Sequence, residues 1–153
     1  MKRLIPFVII GLIAAGAGAE TIAAQDEPPI FQPANEVDLN VLLWKKRPVV
    51  VFADSDFDPA FIEQMELLEQ HQDELRIRDV IVLTDTDPQA RGAMRLKLRP
   101  RGFMLAILGK DGRVKLRKPF PWDVREISRS IDKMPERRRE IRERKEIQGN
   151  IIQ

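Results

Sequence analysis

The feature that most constrains the fold is a pair of short, fully apolar runs separated by one amphipathic segment. The runs are residues 49–53 and 80–83, and both are rich in valine, as is typical of strands buried on both faces. Between them, Asp58 followed by Pro59 predicts a helix N-cap and first turn. Apolar residues at helical spacing extend this helix to about residue 75: Phe61, Ile62, Met65, Leu68 and Leu75. The pattern predicts a βαβ unit with parallel strands and a right-handed crossover.

The remaining segments complete an α/β pattern. Residues 103–108 and 114–116 predict two antiparallel strands, joined by a turn at residues 109–112 that begins and ends with glycine. Short helices are predicted at residues 37–44 and 88–98, and a longer one at residues 122–131 with Val124, Ile127 and Ile131 facing the core. The order βαβ, then ββα, predicts a three-layer thioredoxin-like α/β fold with a four-stranded mixed sheet and helices on both faces.

The N-terminus predicts export. Lys2 and Arg3 precede an apolar run at residues 4–15, and small residues end at Ala19, the pattern of a cleavable signal peptide. We therefore expect cleavage after Ala19 and a periplasmic or secreted protein that meets the membrane only through this segment during export. The alternative is an uncleaved N-terminal anchor, although the run is short for spanning a bilayer.

Composition divides the rest of the chain into three parts. Residues 20–36 are polar and proline-containing, which predicts a flexible linker. Residues 37–134 hold the predicted thioredoxin-like domain, and residues 135–153 predict a charged C-terminal helical arm. The chain contains no cysteine, so thiol redox catalysis is excluded even though the fold commonly supports it.

Charge is concentrated towards the C-terminus. The net charge of +2 arises from 26 basic and 24 acidic residues, and it vanishes once Lys2 and Arg3 are removed. Because an exported protein does not meet nucleic acid, the basic arm predicts an unidentified protein or an anionic envelope partner. The candidate contacts are Arg137, Arg138, Arg139 and Arg142. For the charged run taken by itself, the favoured interpretation is a solvated helix supported by the i,i+4 pairs Glu140–Arg144, Arg139–Glu143 and Arg142–Glu146.

Several short strings occur together in this chain. They are Trp44-Lys45-Lys46-Arg47, Arg78-Asp79, Gly109-Lys110-Asp111-Gly112 with Val114-Lys115-Leu116-Arg117, and Ile131-Asp132-Lys133-Met134-Pro135 with Arg137 and Glu140. The combination resembles a family of small secreted bacterial proteins of unknown function, over residues 44–142. That family has a divergent thioredoxin-like domain related to one in eukaryotic sushi-repeat extracellular-matrix proteins. The resemblance implies a fold and a compartment, and it supplies no catalytic motif.

Carboxylates follow both strands of the βαβ unit. In a thioredoxin the thiols lie where the first strand meets its helix; here that place holds Asp54, Ser55, Asp56 and Asp58. Asp85 and Asp87 follow the second strand. The two loops are expected at the carboxyl edge of the sheet, where α/β proteins bind ligands and where carboxylates suit Ca²⁺ or Mg²⁺.

The acidic loops leave two interpretations open. The run from Val49 to Asp56 resembles the nucleophile motif of haloacid-dehalogenase-type phosphatases, with Asp54 as nucleophile and Asp56 as acid. A divalent-cation-binding protein or a metal-assisted phosphoesterase using Asp54, Asp56, Asp85 and Asp87 is therefore one hypothesis. The favoured one is that Asp58 caps a helix and the other acids solvate turns. No catalytic residue, metal or cofactor is assigned on this interpretation.

Two aromatic residues are predicted to have a structural role. Trp44 and Trp122 are expected to be packing anchors rather than ligand contacts, because large aromatic side chains contribute most to cores. Taken together, the sequence favours an exported thioredoxin-like domain without catalysis that binds a protein or envelope partner.

Overall fold

A mixed five-stranded sheet forms the centre of the protein. The computed structural model describes residues 28–151, so the predicted signal peptide, its cleavage site and residues 20–27 of the predicted linker lie outside the described residues. The strand order is β1-β3-β2-β4-β5. The strands are β1 (Phe31–Pro33), β2 (Arg47–Phe52), β3 (Val80–Asp85), β4 (Met104–Leu108) and β5 (Val114–Lys118).

Strand direction follows the predicted pattern. β1 and β2 pair in parallel with β3, with Val49 opposite Val82. β4 runs antiparallel to β2, and β5 runs antiparallel to β4 at the edge of the sheet. Gly112, with a φ of 75°, lies in the turn between β4 and β5, a conformation that glycine adopts without strain. The α/β fold with a mixed sheet and a parallel βαβ unit is confirmed.

The sheet has one strand more than the sequence predicted. β1 and the 3₁₀ turn Ala34–Glu36 come from the end of the segment assigned to the flexible linker, so that assignment is wrong for residues 31–36. Ile30 and Ala34 are buried, and the amide of Val82 donates to the carbonyl oxygen of Ile30 at 2.7 Å. This strand was missed because it is very short and includes Pro33, which is tolerated at a sheet edge.

Helices cover both faces of the sheet. They are α1 (Leu39–Leu42), α2 (Pro59–Gln70), α3 (Gln72–Arg76), α4 (Ala93–Leu98), α5 (Val124–Asp132) and α6 (Pro135–Ile151), with a further 3₁₀ turn at Pro88–Ala90. One core cluster joins Val49 and Val51 to α2, α3 and α5, and the other joins Val50 and Phe52 to α1 and α4. Alternate residues of β2 therefore supply both cores, as expected for a strand buried on both faces.

The helix after β2 begins as predicted but ends sooner. Asp58 is its N-cap, and the helix breaks at His71 before α3 begins. Leu68 and Leu75 are fully buried, whereas Ile62 is 44% exposed, so its predicted core position is wrong. Gln64 is buried instead, because its side-chain amide donates to the Trp122 carbonyl oxygen at 3.0 Å and accepts from the Trp122 amide at 2.7 Å.

The C-terminal arm is helical, as predicted, and only its beginning rests on the domain. Arg137 is buried and Ile141 is half-buried, whereas every residue from 142 to 151 is exposed. We call residues 142–151 the free half of α6. Within the described part of the chain, no helix is long and apolar enough to cross a bilayer.

Candidate functional site

Three of the predicted site residues at the carboxyl edge of the parallel strands stabilise local turns. The carboxylate of Asp58 accepts from the Ala60 amide at 2.8 Å, and the Ser55 hydroxyl accepts from the Phe57 amide at 3.1 Å. Asp87 caps the following 3₁₀ turn by accepting from the Gln89 amide at 3.0 Å. Such contacts satisfy amides that helix and turn ends leave without partners.

Asp85 is held by an arginine that no sequence pattern indicated. Arg95 on α4 donates from Nη2 to the Asp85 carboxylate at 2.9 Å and to the Ala53 carbonyl oxygen at 2.9 Å. Its guanidinium also lies 5.5 Å from the centre of the Phe52 ring. Both side chains of the ion pair are 10% exposed. Arg95 therefore neutralises Asp85 and ties together the ends of β2 and β3.

The remaining acids border an open cleft without forming a ligand set. The cleft has a volume of about 310 Å³ and is lined in part by Asp56, Asp85 and Asp87. The hydroxyl of Thr86 donates to the carboxylate of Asp56, and Asp54 is exposed. Across residues 28–151, no group of three or more histidine, cysteine, aspartate or glutamate side chains is arranged to hold a metal ion. The structure thus does not bring Asp54, Asp56, Asp85 and Asp87 together as the cation hypothesis requires.

At the opposite end of the parallel strands, where β2 and β3 begin, buried and half-buried charged residues form a connected set. We call it the ionic cluster; its members are Arg47, Arg78, Asp79, Lys110, Asp132, Arg137 and Glu140. Glu140 is central, since its Oε1 lies 2.8 Å from Arg47 Nη2 and 2.9 Å from Lys110 Nζ. Lys110 Nζ also contacts Asp79 at 2.8 Å, and Arg47 Nη1 donates to the Arg78 carbonyl oxygen at 2.8 Å. The cluster therefore fastens α6 to the start of β2.

The electrostatics of the ionic cluster favour an ionised Glu140. Burial raises the pKa of this carboxyl, but hydrogen bonds from Arg47 and Lys110 outweigh burial and lower the pKa from 4.5 to about 2. The Arg47 side chain is only 1% exposed. A guanidinium with so little access to water is stable only while a carboxylate compensates its charge. Glu140 is therefore the residue on which the cluster most depends.

One predicted partner contact belongs to this cluster instead. Arg137 is 5% exposed, with its Nε 3.5 Å from Asp132 Oδ1 and its Nη1 3.4 Å from Glu140 Oε2. Its predicted role in contacting a partner is therefore wrong. Arg138, Arg139 and Arg142 are exposed, as a partner contact would require. Glu140, predicted to pair along the helix with Arg144, pairs with the body of the domain.

The members of the ionic cluster all lie in the strings on which the family resemblance depends. Those strings begin at positions as far apart as Trp44 and Ile131, and folding brings their charged residues to one edge of the sheet. The sequence signal that could have indicated this cluster is that several of the strings place charged residues next to an apolar strand. It did not reveal a site because the sequence gives no distances between the strings.

Trp44 lies beside the ionic cluster and is not the packing anchor that the sequence predicted. The residue is 68% exposed, and its backbone has a φ of 62°, a conformation that bulky residues rarely adopt. Holding a non-glycine residue there costs about 1–3 kcal/mol. Its amide donates to the Lys110 carbonyl oxygen at 2.8 Å. Trp122, by contrast, packs against the core as predicted.

Comparison with solved structures confirms the fold class. A Plasmodium yoelii protein, Prx1a modified at its N-terminus and forming an artifactual octamer, superposes with a TM-score of 0.53 at 16% identity, covering 63% of this chain and 77% of that one. Plasmodium yoelii thioredoxin peroxidase I gives a TM-score of 0.49 at 19% identity, with 63% and 76% covered. At 16% identity, the likeness to Prx1a shows a thioredoxin-like fold and nothing about activity.

The family is shown by a match over most of the domain. Residues 38–140 match the family described as Domain of unknown function (DUF4174), and the chain belongs to it. The matched region ends at Glu140, the residue that completes the ionic cluster. The free half of α6 lies beyond it. No curated protein matches the chain.

Proposed function

We propose that this protein is an exported, non-catalytic thioredoxin-like domain that binds an anionic partner in the cell envelope through exposed basic residues of α6. The observation that carries the proposal is the exposure of every residue from 142 to 151 in a helix that continues beyond the domain. A helix with no packed face is seldom stable by itself, so its presentation depends on a firm base.

The ionic cluster supplies that base. Glu140 is bound by Arg47 and Lys110, and Arg137 is buried beside it, directly before the helix leaves the domain. Side chains at this point have few conformations, because both partners of Glu140 are themselves held by other contacts. The cluster thus fixes the start of the arm, and the rest of the helix extends from this point into solvent.

The charges of the arm favour an anionic partner. Arg138, Arg142 and Lys145 are exposed and spaced i, i+4 and i+7, which places them on one face of α6. Arginine and lysine side chains in such an array attract phosphate and carboxylate groups. Of the exposed acids, Glu143 lies off this basic face, whereas Glu146 borders it, four residues after Arg142. We call Arg138, Arg142 and Lys145 the basic stripe.

The proposal of a non-catalytic role is supported by the chemistry of the carboxyl edge. The chain has no thiol for redox chemistry. Of the acids there, Asp58 and Asp87 cap turns and Asp85 is paired with Arg95. The place where a thioredoxin holds its thiols instead presents Phe57, whose side chain is 86% exposed.

Binding to an isolated bacterial envelope fraction tests the proposal. We expect the protein to sediment with the fraction at low salt and to be released as salt rises, because attraction between exposed charges is screened. Replacing the basic stripe (Arg138→Gln, Arg142→Gln, Lys145→Gln) should abolish this binding. The matched control removes the same charge elsewhere on the surface, by Lys97→Gln, Arg101→Gln and Arg125→Gln, and should bind as the native chain does. Equal binding by both triple variants would contradict the proposal.

Export is tested separately by the mass of the protein recovered from outside the cytoplasm. Cleavage after Ala19 leaves Glu20 as the first residue of the mature chain. If the protein is found in the cytoplasm and begins at Met1, its partner is not in the envelope. Anion binding by the basic stripe would then still have to be measured.

A further inference from the structure

Exposed apolar and basic side chains meet where α1 leads into β2. Val41 and Trp44 are 58% and 68% exposed, and Lys45 next to them is also exposed. The turn between β4 and β5 adjoins them, because a Cβ atom on Gly112 would lie 2.9 Å from Leu43. Arg113 follows that glycine and is exposed. We call Val41, Trp44, Lys45 and Arg113 the Trp44 corner.

The conformation of Trp44 is imposed by its surroundings. Its φ of 62° is in the left-handed region, which a tryptophan does not favour when the chain is free to relax. The Lys110 carbonyl oxygen fixes the backbone by accepting from the Trp44 amide at 2.8 Å. Lys110 is held in turn by Asp79 and Glu140. The ionic cluster therefore holds the backbone at Trp44 and leaves a large aromatic side chain exposed to solvent. This arrangement lowers the stability of the folded chain unless a binding partner covers the side chain.

From this arrangement we infer that the Trp44 corner binds the interface of an anionic lipid bilayer. Trp44 and Val41 enter at the level of the headgroups, and Lys45 and Arg113 pair with lipid phosphates. The inference rests on the proposed function, which places the partner in the envelope, and it names the chemistry of that partner.

Two features favour a bilayer over a protein. Tryptophan prefers the membrane interface, where its ring is in an apolar layer and its indole N–H stays among polar groups. A protein partner would need a pocket shaped for the protruding ring, whereas lipid headgroups rearrange around any side chain of this kind. Lys45 and Arg113 then match the negative potential of an anionic leaflet. One exposed aromatic side chain with lysine and arginine beside it thus suits an anionic lipid surface, which does not need a preformed pocket.

Tryptophan fluorescence gives a direct test in the full chain. In a Trp122→Phe variant, Trp44 is the only tryptophan. We expect its emission to shift to shorter wavelength on addition of vesicles made of equal parts phosphatidylcholine and phosphatidylglycerol, and to stay unchanged with pure phosphatidylcholine. If this variant does not fold, sedimentation of the unmodified chain with the same vesicles replaces it.

Sedimentation variants identify the residues that bind. Trp44→Asn should lower the partition coefficient several-fold, because asparagine tolerates the left-handed backbone but does not insert; Trp44→Tyr should retain most of it. Lys45→Gln and Arg113→Gln should each lower it about fivefold. No wavelength shift with anionic vesicles, or equal partitioning of the native and Trp44→Asn chains, would overturn the inference.

The remaining outcomes separate this inference from the proposed function. A shift that appears without vesicles and grows with protein concentration would assign the corner to a second copy of the chain, and would overturn lipid binding. Vesicle binding that is lost in the basic-stripe variant but unchanged in Trp44→Asn would support the proposed function and refute the role of the corner. The reverse result would support the corner and refute the stripe.

Discussion

The two edges of the sheet use charged residues in opposite ways. At the carboxyl edge, the contacts of Asp58 and Asp87 span only two or three residues along the chain. At the other edge, Arg47 reaches Glu140 across a separation of 93 residues, and Arg78 reaches Asp132 across 54. The first set shapes turns, and the second joins distant elements. A conspicuous local group of acids is therefore the weaker indication of a shared site in this protein.

The Asp85–Arg95 pair shows that the contrast depends on burial as well as on sequence separation. These residues are close in the chain, yet both side chains are 10% exposed and the arginine also binds the end of β2. They resemble the ionic cluster in chemistry. They differ in the elements that they connect. Arg95 connects the ends of two neighbouring strands, whereas the cluster connects the start of a projecting helix to the domain.

The largest expected effect comes from breaking the ionic cluster. Glu140→Gln should lower the free energy of unfolding by about 3 kcal/mol, because the buried Arg47 guanidinium loses the carboxylate 2.8 Å from it and keeps only that of Asp79, at 4.0 Å. Urea denaturation followed by circular dichroism measures the change. Asp54→Asn at the carboxyl edge is the matched control and should change it by less than about 0.5 kcal/mol, since Asp54 is exposed. A larger loss from Asp54→Asn than from Glu140→Gln would reverse the contrast between the edges.

The contrast also explains which features could be predicted from the sequence. The βαβ unit, the hairpin and the Asp58 cap follow from patterns within a few residues, and the structure confirms them. β1 was missed because three residues with a proline carry little strand signal. Trp44 was assigned wrongly and the burial of Gln64 was not predicted, because their environments depend on Lys110 and Trp122, which are distant in sequence. Where tertiary contacts decide a side chain's environment, periodicity alone cannot predict it.

Acid should weaken the same cluster in the native protein. The folded pKa of Glu140 is about 2 against an ordinary value of 4.5, so its ionised form is favoured by folding. Its contribution to stability is complete above about pH 4.5 and is lost as the pH falls through about 2. We expect the stability difference between the native chain and Glu140→Gln to shrink over this range, as measured by denaturant unfolding at each pH. A difference that does not change with pH would mean that Glu140 is not ionised in the folded protein.

The smallest changes in the free energy of unfolding are expected at the carboxyl edge. They show whether the acids there act independently in separate turns or are coupled like the residues of the ionic cluster. Asp58→Ala removes the cap of the 12-residue helix α2 and should cost about 1 kcal/mol. Asp87→Ala should cost less, because it caps only a 3-residue 3₁₀ turn. If the two acids act independently, the loss in the double variant equals the sum of the single losses. A clear departure from additivity in denaturant unfolding would show that the acids are coupled, and would make this edge a shared site after all.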